Sequence, residues 1–118
     1  MQDMPDDLDE ATHAQVANLL GAPRAAEMLS LLKQTLVRLH VMSAAELSAP
    51  EGLALVHRLK SEAGLMGFAR LSHACDVVDG CGVRGTVPPD DLQSLNEAVA
   101  AALVVVDTIG ERRNRRDP

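Results

Sequence analysis

The chain has 118 residues, a formal net charge of −6 and a single aromatic side chain, Phe68. That length supports one domain around one core. The acidic balance and the lack of Tyr and Trp argue against a nucleic-acid surface, and a core rich in Ala, Leu and Val suits helix packing better than an aromatic-lined ligand pocket. No secretory h-region or long apolar span is read in the sequence. Cys75 and Cys81 have neither CxxC nor zinc-ligand spacing. The expectation is a soluble, cytoplasmic protein with reduced thiols and no membrane association.

Residues 1–8 are acidic and read as a flexible N-terminus, followed by a helical body over 9–111. A short helix is predicted from Glu10 to Leu20, stopped by Gly21. Pro23 lies in the first turn of a second helix. Its apolar face (Met28, Leu32, Thr35, Leu36, Leu39 and Met42) carries it to about Leu47. Ser48-Ala49-Pro50-Glu51 reads as a capping box with a first-turn proline. The helix it opens has Leu53, Val56, Leu59, Ala63 and Met66 on one face and is expected to end near Gly67.

Leu71, Ala74, Cys75 and Val78 mark the next helix, after which Gly80, Gly82 and Gly85 are expected to loosen the chain into a loop. Pro88-Pro89-Asp90-Asp91 opens the last helix, with two acids where the helix dipole favours them. Leu92, Leu95, Val99, Leu103 and Val106 form its stripe, and the helical period outweighs the β-branched run at Val104–Val106. Residues 112–118, with Arg112, Arg113, Arg115 and Arg116, read as a flexible basic tail that complements the helix's negative end. Four long helices with short connections predict an all-α fold, an antiparallel four-helix bundle.

One run carries chemistry: His57-Arg58-Leu59-Lys60-Ser61-Glu62-Ala63-Gly64-Leu65-Met66-Gly67. His57, Lys60, Ser61 and Gly64 form a second stripe beside the apolar one, about 120° from its centre, so the histidine is predicted to be held at its base and open at its tip. Such a histidine can be reached by another protein and can carry a phosphoryl group. Lys60 offers it a point cation. A glycine inside a helix costs about 1 kcal/mol relative to alanine, and a bare patch for close approach at Gly64, with small Ser61 beside it, offsets that cost. Leu65 lies on the exposed side and is a candidate docking anchor. Phe68 either joins it there or packs beneath the turn between two helices.

This run resembles the histidine-containing phosphotransfer (HPt) domains of phosphorelays. Their pattern is close to His-x-x-Lys-Gly-x-x-x-x-x-Gly, with a small residue at plus seven and a following Leu and often Cys. His57, Lys60, Gly64 and Gly67 match, and Leu71 and Cys75 fall in place. Ser61 replaces the common glycine at plus four, and Glu62 stands where a smaller uncharged residue is usual. The resemblance implies a short N-terminal helix capping one end of the bundle. It also implies phosphoryl transfer between aspartates of receiver domains through phospho-His57, with Lys60 as charge partner and Arg58, Ser61, Gly64, Leu65 and Phe68 as partner contacts. The expected partners are response-regulator receivers and hybrid histidine kinases. The chain is expected to be a monomer without autokinase activity or a cofactor of its own, magnesium belonging to the receiver.

Two rivals fit less well. A kinase dimerisation domain places an acid directly after its histidine and a proline soon after, whereas Arg58 follows His57 and the next proline is Pro88. A metal-binding bundle would need ligands three or four apart on one face, which His13, His40, His57 and His73 do not provide. A non-catalytic adaptor that binds receivers or kinases without carrying phosphate is the remaining alternative.

Overall fold

The computed structural model describes residues 8–116, with side chains described through Gly110. It is all-helical, with six helices and no strand among the described residues: α1 (Glu10–Leu20), α2 (Ala22–His40), α3 (Ala44–Ser48), α4 (Pro50–Leu65), α5 (Ala69–Val83) and α6 (Pro89–Arg116). The acidic segment 1–7 and the side chains of the Arg112–Arg116 cluster lie outside the described residues.

Local chemistry sets most of the boundaries. Asp9 caps α1, its carboxylate accepting from the Thr12 amide at 3.2 Å and the Thr12 hydroxyl at 2.8 Å. Gly21, at φ 86°, ends α1 and starts α2, whose first turn holds the expected proline. The predicted continuation of α2 to Leu47 does not occur. Ser43 forms a capping box with Glu46 (3.2 and 2.8 Å) that starts the separate α3. The capping box expected at Ser48–Glu51 is absent for the same reason: the Ser48 hydroxyl donates back to the Ala44 carbonyl at 2.9 Å, leaving Ala49 to cap α4 without a side-chain bond.

α4 ends at Leu65 in a Schellman turn, with Phe68 N–H donating to Ala63 O (2.8 Å) and Gly67 N–H to Gly64 O (3.2 Å). Gly67 takes φ 91° there. The expected loop at Gly80 and Gly82 is a further correction: both lie inside α5, and the turn comes only at Gly85, φ 99°. A Cβ on Gly82 would stand 3.1 Å from both Leu53 methyls, so its bareness lets the half-buried Leu53 of α4 close on α5.

The long helices contact in a closed cycle: α4 packs on α5, α5 on α6, α6 on α2 and α2 on α4, while α1 leans on α2 and α4, and α3 on α4 and α6. Leu32, Leu36 and Leu39 of α2, Val56, Leu59 and Ala63 of α4, Leu71, Cys75 and Val78 of α5, and Leu95 and Val99 of α6 meet in one core. Leu55, missed in the α4 stripe, is buried as well, and Leu53 is only partly so. Burying a side chain of this size contributes roughly 1.5–3 kcal/mol.

Candidate functional site

His57 stands in the middle of α4 between Val56 and Leu59, two core residues of negligible exposure, while its own side chain is 69% exposed. The helical period thus roots the residue in the core and turns its ring outward. The ring is not free. Its Nδ1 lies 3.0 Å from Oδ2 of Asp79 on α5. The same oxygen accepts from Lys60 Nζ at 2.9 Å, and Lys60 also lies 3.6 Å from Oδ1 of Asp76.

A carboxylate on Nδ1 selects the tautomer in which that nitrogen carries the proton and donates it. The other ring nitrogen, Nε2, then holds the lone pair. A neutral imidazole with one nitrogen anchored and one available is a nucleophile of fixed orientation.

The electrostatics are mutual. The Lys60 ammonium, and next the His57 ring, hold the Asp79 carboxyl below the usual carboxylate range. Asp79, chiefly by its hydrogen bond, holds Lys60 above the usual lysine value. Asp79 is only 17% exposed at its side chain, so the carboxylate is largely withdrawn from water while serving both donors. Beneath it lies Cys75, fully buried, its thiol pushed up to about 12 by burial. That thiol is protonated at neutral pH and is no nucleophile.

Gly64 is exposed, yet a Cβ there would stand 3.1 Å from Ser72 Oγ of α5. The Ser72 hydroxyl donates to Lys60 O at 2.9 Å. The glycine therefore makes room for an interhelical hydrogen bond beneath Lys60, a use beyond the bare patch expected from the sequence. Ser61 and Leu65 are exposed. Arg58 is exposed too and lies 3.9 Å from Glu62 one turn on.

Phe68 does not join this surface. It is fully buried beneath the α4–α5 turn, edge-on to the His13 ring at 6.5 Å, so its expected partner contact is withdrawn. As the one large ring, it fills the space where three elements meet. α1 closes over that turn. Asp9 N–H donates to Gly67 O at 2.6 Å, and His13 Nδ1 lies 3.0 Å from Met66 O. An open concavity next to the site is lined by Gly64, Gly67, Ala69, Ser72, His73 and Asp76, with Asp9 and Thr12 of α1 at its edge.

Sequence reasoning missed Asp79, Asp76 and Ser72. A signal existed: the three lie on α5 at offsets of four and three, a polar flank beside the Leu71, Cys75 and Val78 stripe. What the sequence lacked was the register of α5 against α4. Among the described residues no group of three or more His, Cys, Asp or Glu side chains is arranged to hold a metal ion. Comparison with protein-family models, with curated proteins and with solved structures finds no match, so the site's chemistry rests on the geometry above.

Proposed function

We propose that this chain is a histidine phosphotransfer protein of a two-component phosphorelay. His57 takes a phosphoryl group from a phospho-aspartate of one receiver domain and yields it to the aspartate of another. In the first step the Nε2 lone pair attacks phosphorus in line, the N–P bond forms, and the P–O bond to the donor aspartate breaks, releasing its carboxylate. The second step reverses these roles with the acceptor's carboxylate. Magnesium and the groups that stabilise the transferring phosphoryl belong to the receivers, and the chain makes no phosphohistidine from ATP by itself.

The observation that carries this reading is the outward-facing His57 ring anchored at Nδ1 by Asp79. An anchored ring loses less freedom when a donor arrives, which is the positioning part of such catalysis. The cyclic packing of α2, α4, α5 and α6 supports the finer reading of the fold as an antiparallel four-helix bundle with α1 as its cap. Exposed Arg58, Ser61, Gly64 and Leu65 offer the receiver a mixed polar and apolar landing surface around the ring. The protein is read as a cytoplasmic monomer that meets receivers and hybrid kinases one at a time.

The test is incubation with a phosphorylated receiver domain, followed by assay for acid-labile, alkali-stable label. Label on the wild-type chain that disappears in His57→Ala supports the proposal. Label that persists in His57→Ala refutes the site. No label from a panel of receivers that nevertheless bind the chain would establish the adaptor instead.

A further inference from the structure

We infer that Lys60 is a positioning residue that acts on His57 through Asp79: its ammonium offsets the charge of the carboxylate that orients the ring, so that the ring is oriented without being biased toward the imidazolium. The consequence for labelling rests on the phosphotransfer reading above. The electrostatic relation does not.

The geometry turns on a single oxygen. Oδ2 of Asp79 lies 3.0 Å from His57 Nδ1 and 2.9 Å from Lys60 Nζ. A carboxylate alone at that distance from an imidazole favours the imidazolium, because opposite charges stabilise the charged form. An imidazolium has no lone pair with which to attack phosphorus. The carboxylate that orients the ring would therefore also disarm it. A cation on the same oxygen eases the conflict, leaving the hydrogen bond that fixes the tautomer while offsetting the charge of the carboxylate that bears on the ring. Asp79 is held below its usual range chiefly by Lys60 and only second by His57, in keeping with that order of strength.

The other charged groups on the packed elements do not take over this role. On α5, Asp76 is exposed and lies 3.6 Å from Lys60, adding negative charge that makes the cation more necessary. Cys75 is buried and protonated. Arg84, at the end of α5, donates to Cys81 at 3.4 Å. On α4, Arg58 is turned to Glu62 at 3.9 Å. From α2, Arg38 faces Glu51 at the start of α4, at 3.7 Å. From α3, Glu46 is committed to its capping box. From α1, Asp9 and His13 sit at the far turn around Gly67.

The experiment is an NMR titration of the His57 ring in the intact protein, run on wild type, Lys60→Met, Lys60→Arg and Asp79→Asn. The rate of labelling by a phosphorylated receiver is measured across the same pH range. The ring's titration midpoint is expected to rise by about half a pH unit or more in Lys60→Met. It should stay at the wild-type position in Lys60→Arg and fall in Asp79→Asn. Below the wild-type midpoint, labelling of Lys60→Met should drop about threefold for each half unit of that rise and recover at higher pH. An unmoved midpoint in a folded Lys60→Met protein overturns the inference. So does a labelling rate reduced equally at every pH, which would place the ammonium on the phosphoryl group itself. Absence of label on wild type would refute the phosphotransfer reading, and the titration alone would still decide what Lys60 does.

Discussion

His57 and Asp79 are 22 residues apart in the chain and joined by a 3.0 Å contact between Nδ1 and Oδ2. His57 sits on α4 and the carboxylate that orients its ring on α5, so the geometry belongs to the helix pair and to neither helix alone.

Under the proposed phosphotransfer, removing the orienting carboxylate should impair labelling while leaving His57 in place. Asp79→Ala is expected to lower the rate of labelling from a phosphorylated receiver by roughly tenfold or more, the scale on which such outer partners act on histidines elsewhere. Helical content by circular dichroism should be close to wild type. An unaltered rate would show that the ring needs no anchor.

Acid should weaken the protein partly through the same residue. Asp79 in the folded protein titrates below its unfolded value. Its contribution is complete above about pH 4 and is lost as pH falls through the folded value. Lys60 is raised, so its share is complete below about pH 10 and is lost as pH rises through its folded value. Urea midpoints measured from about pH 6 down to about pH 2 should fall less steeply for Asp79→Asn than for wild type. Parallel curves would contradict the ion pair.

The turn at Gly67 gives a stability test. With φ at 91° and a would-be Cβ only 2.7 Å from Asp9 O, Gly67→Ala meets both a strained backbone and a clash with the start of α1. The backbone term alone is about 1–2 kcal/mol. Gly110, helical and with nothing within 4 Å of its would-be Cβ, should respond oppositely, Gly110→Ala gaining up to about 1 kcal/mol. Chemical denaturation of the two variants should move in opposite directions. A common sign would mean that one of these backbone environments is misassigned.

Phe68 and Leu65 are three residues apart and should behave as different classes of side chain. Phe68 is fully buried, and Phe68→Ala is expected to cost about 3–5 kcal/mol in unfolding free energy. Leu65 is 55% exposed, and Leu65→Ala should stay within about 0.5 kcal/mol while weakening receiver binding. A large stability loss at Leu65 would remove it from the docking surface.

Ser43 and Ser48 show where the sequence was legible and where it was not. Each is followed three residues later by glutamate, so each offers a capping box, and local pattern cannot rank them. The fold uses Ser43, whose box breaks the expected long helix, and turns Ser48 back on Ala44. His57 and Lys60 could be placed together because their spacing is internal to one helix. Asp79 could not, because its place beside them depends on how α5 slides against α4. Gly80 and Gly82 looked like a loop for a similar reason: glycine loosens a chain, and the approach of Leu53, which accounts for the bare position at Gly82, is not visible in the local pattern.

Gly64, Ser72 and Gly82 together hold α4 and α5 at one longitudinal setting, through a 2.9 Å hydrogen bond to Lys60 O at one end and the Leu53 contact at the other. A helix shifted by one turn travels about 5.4 Å, far more than a hydrogen bond tolerates. The contact between the His57 ring and Asp79 depends on that alignment. A correctly seated pair presents an oriented ring. A pair slipped by a turn would separate His57 from Asp79 and leave an unanchored surface histidine.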